Sequence, residues 1–445
     1  MRILVVGAGE VGSSIAASLA ESHEIVVIDI DPDRVDSLTY RYDVLALEGD
    51  GTSLESLEDA GVEKADILIA STDDDETNLA TCGTVKTISD AFTIARVKKT
   101  AYLDTWQRNH GAFGVDFMVS TNLLSAQAIV NVIGLPTALD VDPFAGGRVQ
   151  MAEFEVPTGS PVADQTVQQA DRFESLTFAA VLRNGEVEIP TGQTVINEGD
   201  RVVVIGSPES VQGFAAAVAP EATSGDVQDV VIVGGSAIGF LTARLLEQRG
   251  FSPRLIESDP DRARQLAEDL PDTTVMQHDA TDIDFLEREH VGDADLVIAS
   301  LASDEQSLLV SLLARQLGAK RTVAVVDQGQ YVDLFETVGI DVAVNPREVT
   351  AEEITRFTRE QQAENVAIIE ADLAEVLEFE VEDGSVLVGR PIREVVGDLP
   401  AGIVIGALTR NGELVTPRGD TVIEPGDHVV IFVRADRIAE VTAKL

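Results

Sequence analysis

The sequence predicts two doubly wound α/β domains with parallel sheets, each followed by a small α+β domain, arranged as one tandem repeat. Three observations predict it. The segment Ile3–Gly12, ILVVGAGEVG, returns as VVIVGGSAIG at Val230–Gly239. In the first part of each copy, short apolar runs alternate with amphipathic stretches, and in the second part hairpin patterns replace them.

Other landmarks return at nearly the same spacing. Asp31-Pro32-Asp33-Arg34 matches Asp259-Pro260-Asp261-Arg262, Ala65–Ser71 matches Ala294–Ser300, Glu153–Val156 matches Glu378–Val381, and Arg183–Glu186 matches Arg410–Glu413. Colinear matches across both halves indicate a duplication. ILVVG, IVVID, VLALEGD, ILIAS and FTIARV read as buried parallel strands, apolar on both faces, with helical spacing between them. Right-handed crossovers through those helices give the doubly wound sheet. MAEFEVPTG, TFAAVLRNGEVEIP and DRVVVIG read as strands joined by Asn-Gly and Gly-Asp turns, which makes a small mixed domain with a hairpin.

The Pro- and Gly-containing stretch Gly134–Gly147 marks the first internal boundary, and the polar stretch Ala219–Gln228 separates the repeats. The expected domains are residues 1–135 and 227–350 for the larger type, and 140–220 and 365–445 for the smaller. Helices are expected at Asn122–Val132 and Val349–Gln361. The apolar spacing of the first suits either an interface helix or an ordinary core helix.

Charge narrows the functional classes. The 445 residues carry 77 Asp plus Glu against 32 Lys plus Arg, a net charge of −45. Because 44% of the residues are hydrophobic, the chain has enough apolar material for cores and is not an acidic disordered segment. Acids spread along the whole length, with few lysines and few aromatics, resemble adaptation to a high-salt cytoplasm, where a Debye length of about 3 Å at 1 M screens self-repulsion. The same charge disfavours nucleic acid and anionic lipid. Cys82 is the single cysteine, and the histidines (His23, His110, His278, His290, His428) lack ligand spacing, so no metal site is expected. No apolar run approaches bilayer length, and MRILVVGAG reads as a strand entering a turn rather than a secretory signal. A cytoplasmic protein without membrane insertion is expected.

Gly7-Ala8-Gly9-Glu10-Val11-Gly12 has the form G-x-G-x-x-G, follows a strand, opens a helix, and precedes an acid, Asp29, by 17 residues. Gly7 permits the tight turn, Gly9 lets backbone N–H groups approach a pyrophosphate, and Gly12 lets helix and sheet pack closely. Phosphates then sit at the positive helix end while Asp29 holds ribose hydroxyls. An acid there suits an unphosphorylated ribose, hence NAD or an adenine nucleotide rather than NADP. In the second copy, Gly234-Gly235-Ser236-Ala237-Ile238-Gly239, Ser236 stands at the central glycine and crowds the phosphate position, although Glu257 keeps the ribose acid. Gly234, Ser236, Gly239 and Glu257 thus outline a weaker or different second site.

The order of a glycine-rich nucleotide fold and a small C-terminal domain, twice in one chain, resembles the regulatory subunits of Trk potassium-uptake systems, built from domains that regulate potassium conductance. Gly49-Asp50-Gly51-Thr52, Ser71–Asn78 and Ala95-Arg96-Val97 carry the resemblance further. It implies Asp50, Gly51 and Thr52 near an adenine, Thr72 and Asp73 beside ribose and phosphates, and Arg96 on the phosphates, where its planar fork suits phosphate oxygens. In the second copy Asp279-Ala280-Thr281 keeps one loop, but Val325 stands where Arg96 would be, so one working site and one mainly structural site are expected. The implied ligands are NAD(H) and/or ATP/ADP. The implied partners are a membrane potassium-translocating subunit of Trk or Ktr type, at the inner face of the membrane, and further copies of the chain in a ring. A ligand for the small domains, such as a cyclic dinucleotide or a metal ion, stays open. An NAD-dependent oxidoreductase is the alternative on the same fold, but the small domains carry only His428 and Lys444 as candidate acid–base groups, so no catalytic residue is assigned.

Overall fold

The computed structural model of the protein describes residues 1–20, 23–109, 111–133, 135, 138–183, 185–220, 227–359, 365–369, 373–381, 383, 385–398 and 402–442. Asn184, His110, most of Ala219–Gln228, the end of Val349–Gln361 and Lys444 lie outside them.

Four sheets follow one another along the chain. Strands β1 (Arg2–Val6), β2 (Glu24–Asp29), β3 (Leu45–Glu48), β4 (Ile67–Ala70), β5 (Phe92–Val97) and β6 (Phe117–Ser120) form a sheet in the order β3-β2-β1-β4-β5-β6, with every pairing parallel. Next come β7 (Ala138–Phe144), β8 (Val149–Glu155), β9 (Leu176–Arg183), β10 (Glu186–Glu188) and β11 (Arg201–Gly206), antiparallel in the order β10-β9-β11-β8-β7. The second copy repeats both. Its parallel sheet holds β12 (Val230–Val233), β13 (Arg254–Glu257), β14 (Thr274–Gln277), β15 (Leu296–Ala299), β16 (Thr322–Val325) and β17 (Val342–Val344) in the order β14-β13-β12-β15-β16-β17. Its antiparallel sheet holds β18 (Asn365–Ile369), β19 (Ala374–Glu380), β20 (Ile403–Arg410), β21 (Glu413–Val415) and β22 (His428–Arg434) in the order β18-β19-β22-β20-β21.

The predicted fold class is therefore present, with two strands that sequence patterning does not single out. β6 is only four residues long. β7 falls inside the stretch expected to be a boundary, because its Asp140, Asp142 and Pro143 read as loop residues. It is the terminal strand of its sheet, where a proline costs no ladder bond on the open side.

The chain divides into two compact units. One contains Met1–Val130 and Asp229–Thr355, that is, both parallel sheets; the other contains Asn131–Gln228 and Arg356–Leu445, with both antiparallel sheets. In the second unit one apolar cluster draws on both copies, placing Phe144, Met151 and Ile205 with Val376, Val430 and Phe432. Gly406 is needed there, since a Cβ would come within 2.5 Å of Ile205 Cδ1.

The duplication extends to polar fasteners. Asp116 accepts from Thr93 N, and Asp341 accepts from Thr322 N. Buried Asp75 accepts from the backbone of Lys98 and Lys99, and buried Asp304 from that of Asp327 and Gln328. In the small domains Arg183 forks onto Asp200 and Arg410 onto Asp427. Two parallel N–H···O bonds to a buried carboxylate fix both groups in one geometry.

Burial works to raise the Asp427 carboxyl, but the Arg410 guanidinium and the Glu424 N–H outweigh it and hold the group below its ordinary value. The stabilisation is thus present above the unfolded-state carboxylate range, near pH 4, and is lost as pH falls through the lower folded value. Asp427→Asn should cost roughly 2 kcal/mol at neutral pH and weaken the acid dependence. Chemical denaturation at molar salt and several pH values measures both.

Candidate functional site

Close backbone contact shapes the turn after β1. Gly7 has φ +103°, and a Cβ there would lie 2.9 Å from Thr72 N. A Cβ on Gly12 would lie 1.8 Å from Gly7 O, so only glycine lets the helix Glu10–Ala20 start this close to the strand. Gly9 differs: a Cβ there would meet Arg34 Nη1 at 3.7 Å and nothing closer, so this side of the turn stays open. Glu10 begins the helix, where a carboxylate suits the positive end of the dipole.

Asp29, at the end of β2, is buried and accepts from Ala8 N and from Asp31 N. Arg34 approaches it at 3.9 Å. After β3, Asp50 Oδ1 accepts from Thr52 N at 2.8 Å and Thr52 Oγ1 at 2.7 Å, bonds that hold its carboxyl below the usual range. Gly51 is pressed against β1, where a Cβ would lie 2.1 Å from Val6 Cγ1.

After β4 the buried side chain of Asn78 acts as a clamp. Its Oδ1 accepts from Thr72 N at 2.9 Å and Thr72 Oγ1 at 2.7 Å, and its Nδ2 donates to Thr72 O and Arg96 O, both at 2.9 Å. Arg96, 3% exposed on β5, donates from Nε to Thr121 Oγ1 at 3.0 Å and from Nη1 to Asp73 Oδ1 at 3.2 Å. Burial lowers the Arg96 pKa against the opposing pull of the Asp73 carboxylate. Burial alone would raise the Asp73 carboxyl, but Lys98 and Arg96 beside it outweigh this and hold it down.

These elements enclose a crevice of about 700 Å³. Of the residues predicted for the first site, Gly7, Gly9, Glu10, Val11, Asp29, Asp50, Gly51, Thr52, Thr72, Asp73 and Arg96 line it. Ala8 and Gly12 do not; they support the turn from behind. Arg34 and Arg347 line it as well, and the sequence reading missed both. Arg34 follows the matched Asp-Pro-Asp landmark, a signal that could have found it. Arg347 comes from the second copy, 347 residues along the chain, where no local pattern points to this crevice.

The second turn keeps the scaffold and changes the chemistry. Gly234 has φ +102°, and a Cβ on Gly239 would lie 2.2 Å from Gly234 O. Ser236 Oγ caps the following helix by accepting from Gly239 N at 3.1 Å and lies 2.7 Å from Ser300 Oγ. Glu257 accepts from Gly235 N and Asp259 N, and Asp279 accepts from Thr281. A helix-end N–H that an anion would use is therefore already bonded to the chain's own hydroxyl. Val325, where an arginine would be needed, is buried.

Family models match a TrkA-N domain at residues 3–121 and 230–346 and a TrkA-C domain at 151–219 and 376–445. The chain belongs to the TrkA family of potassium-uptake proteins. It is 37% identical over 441 residues to a Trk system potassium uptake protein TrkA homolog of Archaeoglobus fulgidus, covering 99% of each chain. The TrkA of Halomonas elongata is 34% identical over 442 residues, 97% of this chain and 96% of that one, and the TrkA of Haemophilus influenzae is 31% identical over 444. Among solved structures, the GsuK RCK domain superposes with a TM-score of 0.61 at 19% identity, covering 99% of this chain and 95% of that one. The GsuK channel bound to NAD gives 0.61 at 20%, covering 99% and 79%. At these identities the two structures share the fold.

Removing the clamp is the direct test of how the family member holds Thr72 and Arg96 together. Asn78→Ala leaves buried backbone groups without partners and should cost about 2 to 3 kcal/mol. A loss below about 0.5 kcal/mol in denaturant titration would mean that other contacts position the loop.

Proposed function

We propose that this protein is the cytoplasmic, nucleotide-binding regulatory subunit of a potassium-uptake system, and that the first-repeat crevice is its ligand site. The observation that carries this is the convergence on one crevice of an open glycine turn, a buried ribose-type acid and a buried arginine. Gly9 leaves room for phosphate, Asp29 presents a carboxylate to ribose hydroxyls, and Arg96 supplies a guanidinium at the phosphate end. NAD(H), ATP and ADP all satisfy that chemistry. The curated relatives are named as potassium uptake proteins, and one fold neighbour is a channel bound to NAD.

A sensor rather than an oxidoreductase is supported by the lining. It includes no His, Lys, Tyr or Cys, the usual proton-transfer groups beside a nicotinamide. Burial pushes the Cys82 thiol up to about 12, which removes it as a nucleophile. Among the described residues no helix is long and apolar enough to cross a membrane, so conduction would belong to a separate membrane subunit that a ring of these chains contacts. Ligand acts by population shift: it favours whichever arrangement of the lobes gives it the better contacts.

Calorimetric titration of NAD, NADH, ATP and ADP at molar salt tests the site. One strong site per chain is expected for at least one of them. Arg96→Ala should weaken that binding at least about tenfold with an unchanged circular dichroism spectrum. No binding by any of the four, or affinity indifferent to Arg96, overturns the assignment.

A further inference from the structure

Arg347 joins the second repeat to the glycine turn of the first. It lies in the helix Pro346–Arg359, whose start is capped by Asn345 Oδ1 accepting from Arg347 N at 2.8 Å and Glu348 N at 2.9 Å. Its Nη1 donates to Asp327 O at 2.8 Å and to Glu10 Oε2 at 2.6 Å. Glu10 is the first residue of the helix on which ligand phosphates would sit, so its carboxylate stands at the mouth of the anion position. One turn further on, Thr350 Oγ1 donates to Thr121 Oγ1 at 3.1 Å, and Thr121 is the hydroxyl that receives Arg96 Nε. Both arginines at this end of the crevice are thus tied to one helix of the second repeat.

Comparison of the copies shows that this is a departure from the repeat. Asn122 and Arg347 each stand six residues after the matched acids Asp116 and Asp341. Asn122 Nδ2 donates to Lys98 O at 2.8 Å, as Arg347 does to Asp327 O, and its side chain is too short to go further. The counterpart of Glu10 is Ala237. The arginine–acid pair therefore runs in one direction only, from the second repeat to the crevice of the first.

The order of groups along the crevice indicates what the pair reads. Asp50 and Asp29 lie on the β3 and β2 side, the glycine turn in the middle, and Asp73, Arg96 and Arg347 beyond it. With its ribose on Asp29, a dinucleotide would place at the far end a second nucleoside that carries no anionic group and, in NAD, a cationic ring. A nucleoside triphosphate would place its terminal phosphate there. Each guanidinium now makes its ion pair with one carboxylate, Arg347 with Glu10 and Arg96 with Asp73, and Asp73 also attracts Arg347. A phosphate dianion offers three acceptor oxygens and more charge than either.

We propose that Arg347 is the terminal-phosphate contact of the first-repeat crevice: a nucleoside triphosphate draws it away from Glu10, whereas NAD leaves that ion pair in place. This rests on the crevice being the nucleotide site.

Calorimetry at molar salt with ATP and with NAD separates the two claims. For the full chain, Arg347→Gln should weaken ATP binding at least about tenfold, one charge-assisted contact, and NAD binding less than about threefold. Arg347→Lys should recover part of the ATP loss. Glu10→Gln keeps Arg347 and frees it, so it should tighten ATP more than NAD, whose pyrophosphate gains only from the lost carboxylate. Thermal unfolding of each variant shows whether the fold is retained. Equal losses for both ligands in Arg347→Gln, or unchanged ATP affinity in both variants, overturn the proposal while leaving the site itself intact. Failure of the unaltered protein to bind either ligand removes the site and the proposal together.

Discussion

Everything in the crevice depends on how closely bare backbone approaches bare backbone behind it. The contacts Gly7–Thr72 and Gly12–Gly7 are shorter than any side chain would allow, and they fix where the first helix begins relative to β1 and β4. The second repeat has the matching contact of Gly239 with Gly234, and its Gly234 presses on Ser300 O at the end of β15. Backbone geometry is therefore common to both turns, and the difference between them is made by side chains alone. Ser236 supplies a cap in place of an incoming anion, Val325 replaces a guanidinium, and Ala237 replaces a carboxylate. The duplicated scaffold thus keeps one backbone turn and surrounds it with different side chains in its two copies.

The parallel sheets and the glycine turn were legible because each follows from local pattern: apolar runs for strands buried on both faces, and glycines where close approach leaves no alternative. The Asp50-Gly51-Thr52 loop and Arg96 came from resemblance, and the structure supplies their reasons, the pressure of Gly51 on Val6 and the bond from Arg96 to Thr121. Asn78, Arg34 and Arg347 were not identified individually. Asn78 sits in a polar helix start that reads as an ordinary cap region, and its four bonds reach back to Thr72 and across to Arg96. Arg347 reaches Glu10 across a sequence separation that no periodicity spans. β7 was hidden by its acids and proline, whose place is set by the neighbouring strand rather than by their own preference.

The choice of cation follows from the same surroundings. Every basic residue lining the crevice is an arginine, in a chain of net charge −45. Guanidinium is weakly hydrated, planar and always charged, so it keeps directed hydrogen bonds where a lysine ammonium would be screened or would prefer water. Arg96 is itself nearly inaccessible although its partner Asp73 is exposed, whereas in the pair of Arg347 and Glu10 both groups meet solvent and are open to exchange with ions and ligand alike.

The interleaving of the chain carries a consequence for biosynthesis. The first repeat holds apolar cores of its own, but the cluster shared between β7–β11 and β18–β22 stays incomplete while the ribosome has made only that repeat. Phe144, Met151 and Ile205 must wait, uncovered, for their partners to emerge. Until the second repeat arrives, the nascent half-chain thus carries an uncovered apolar face, the kind of surface through which incomplete chains aggregate.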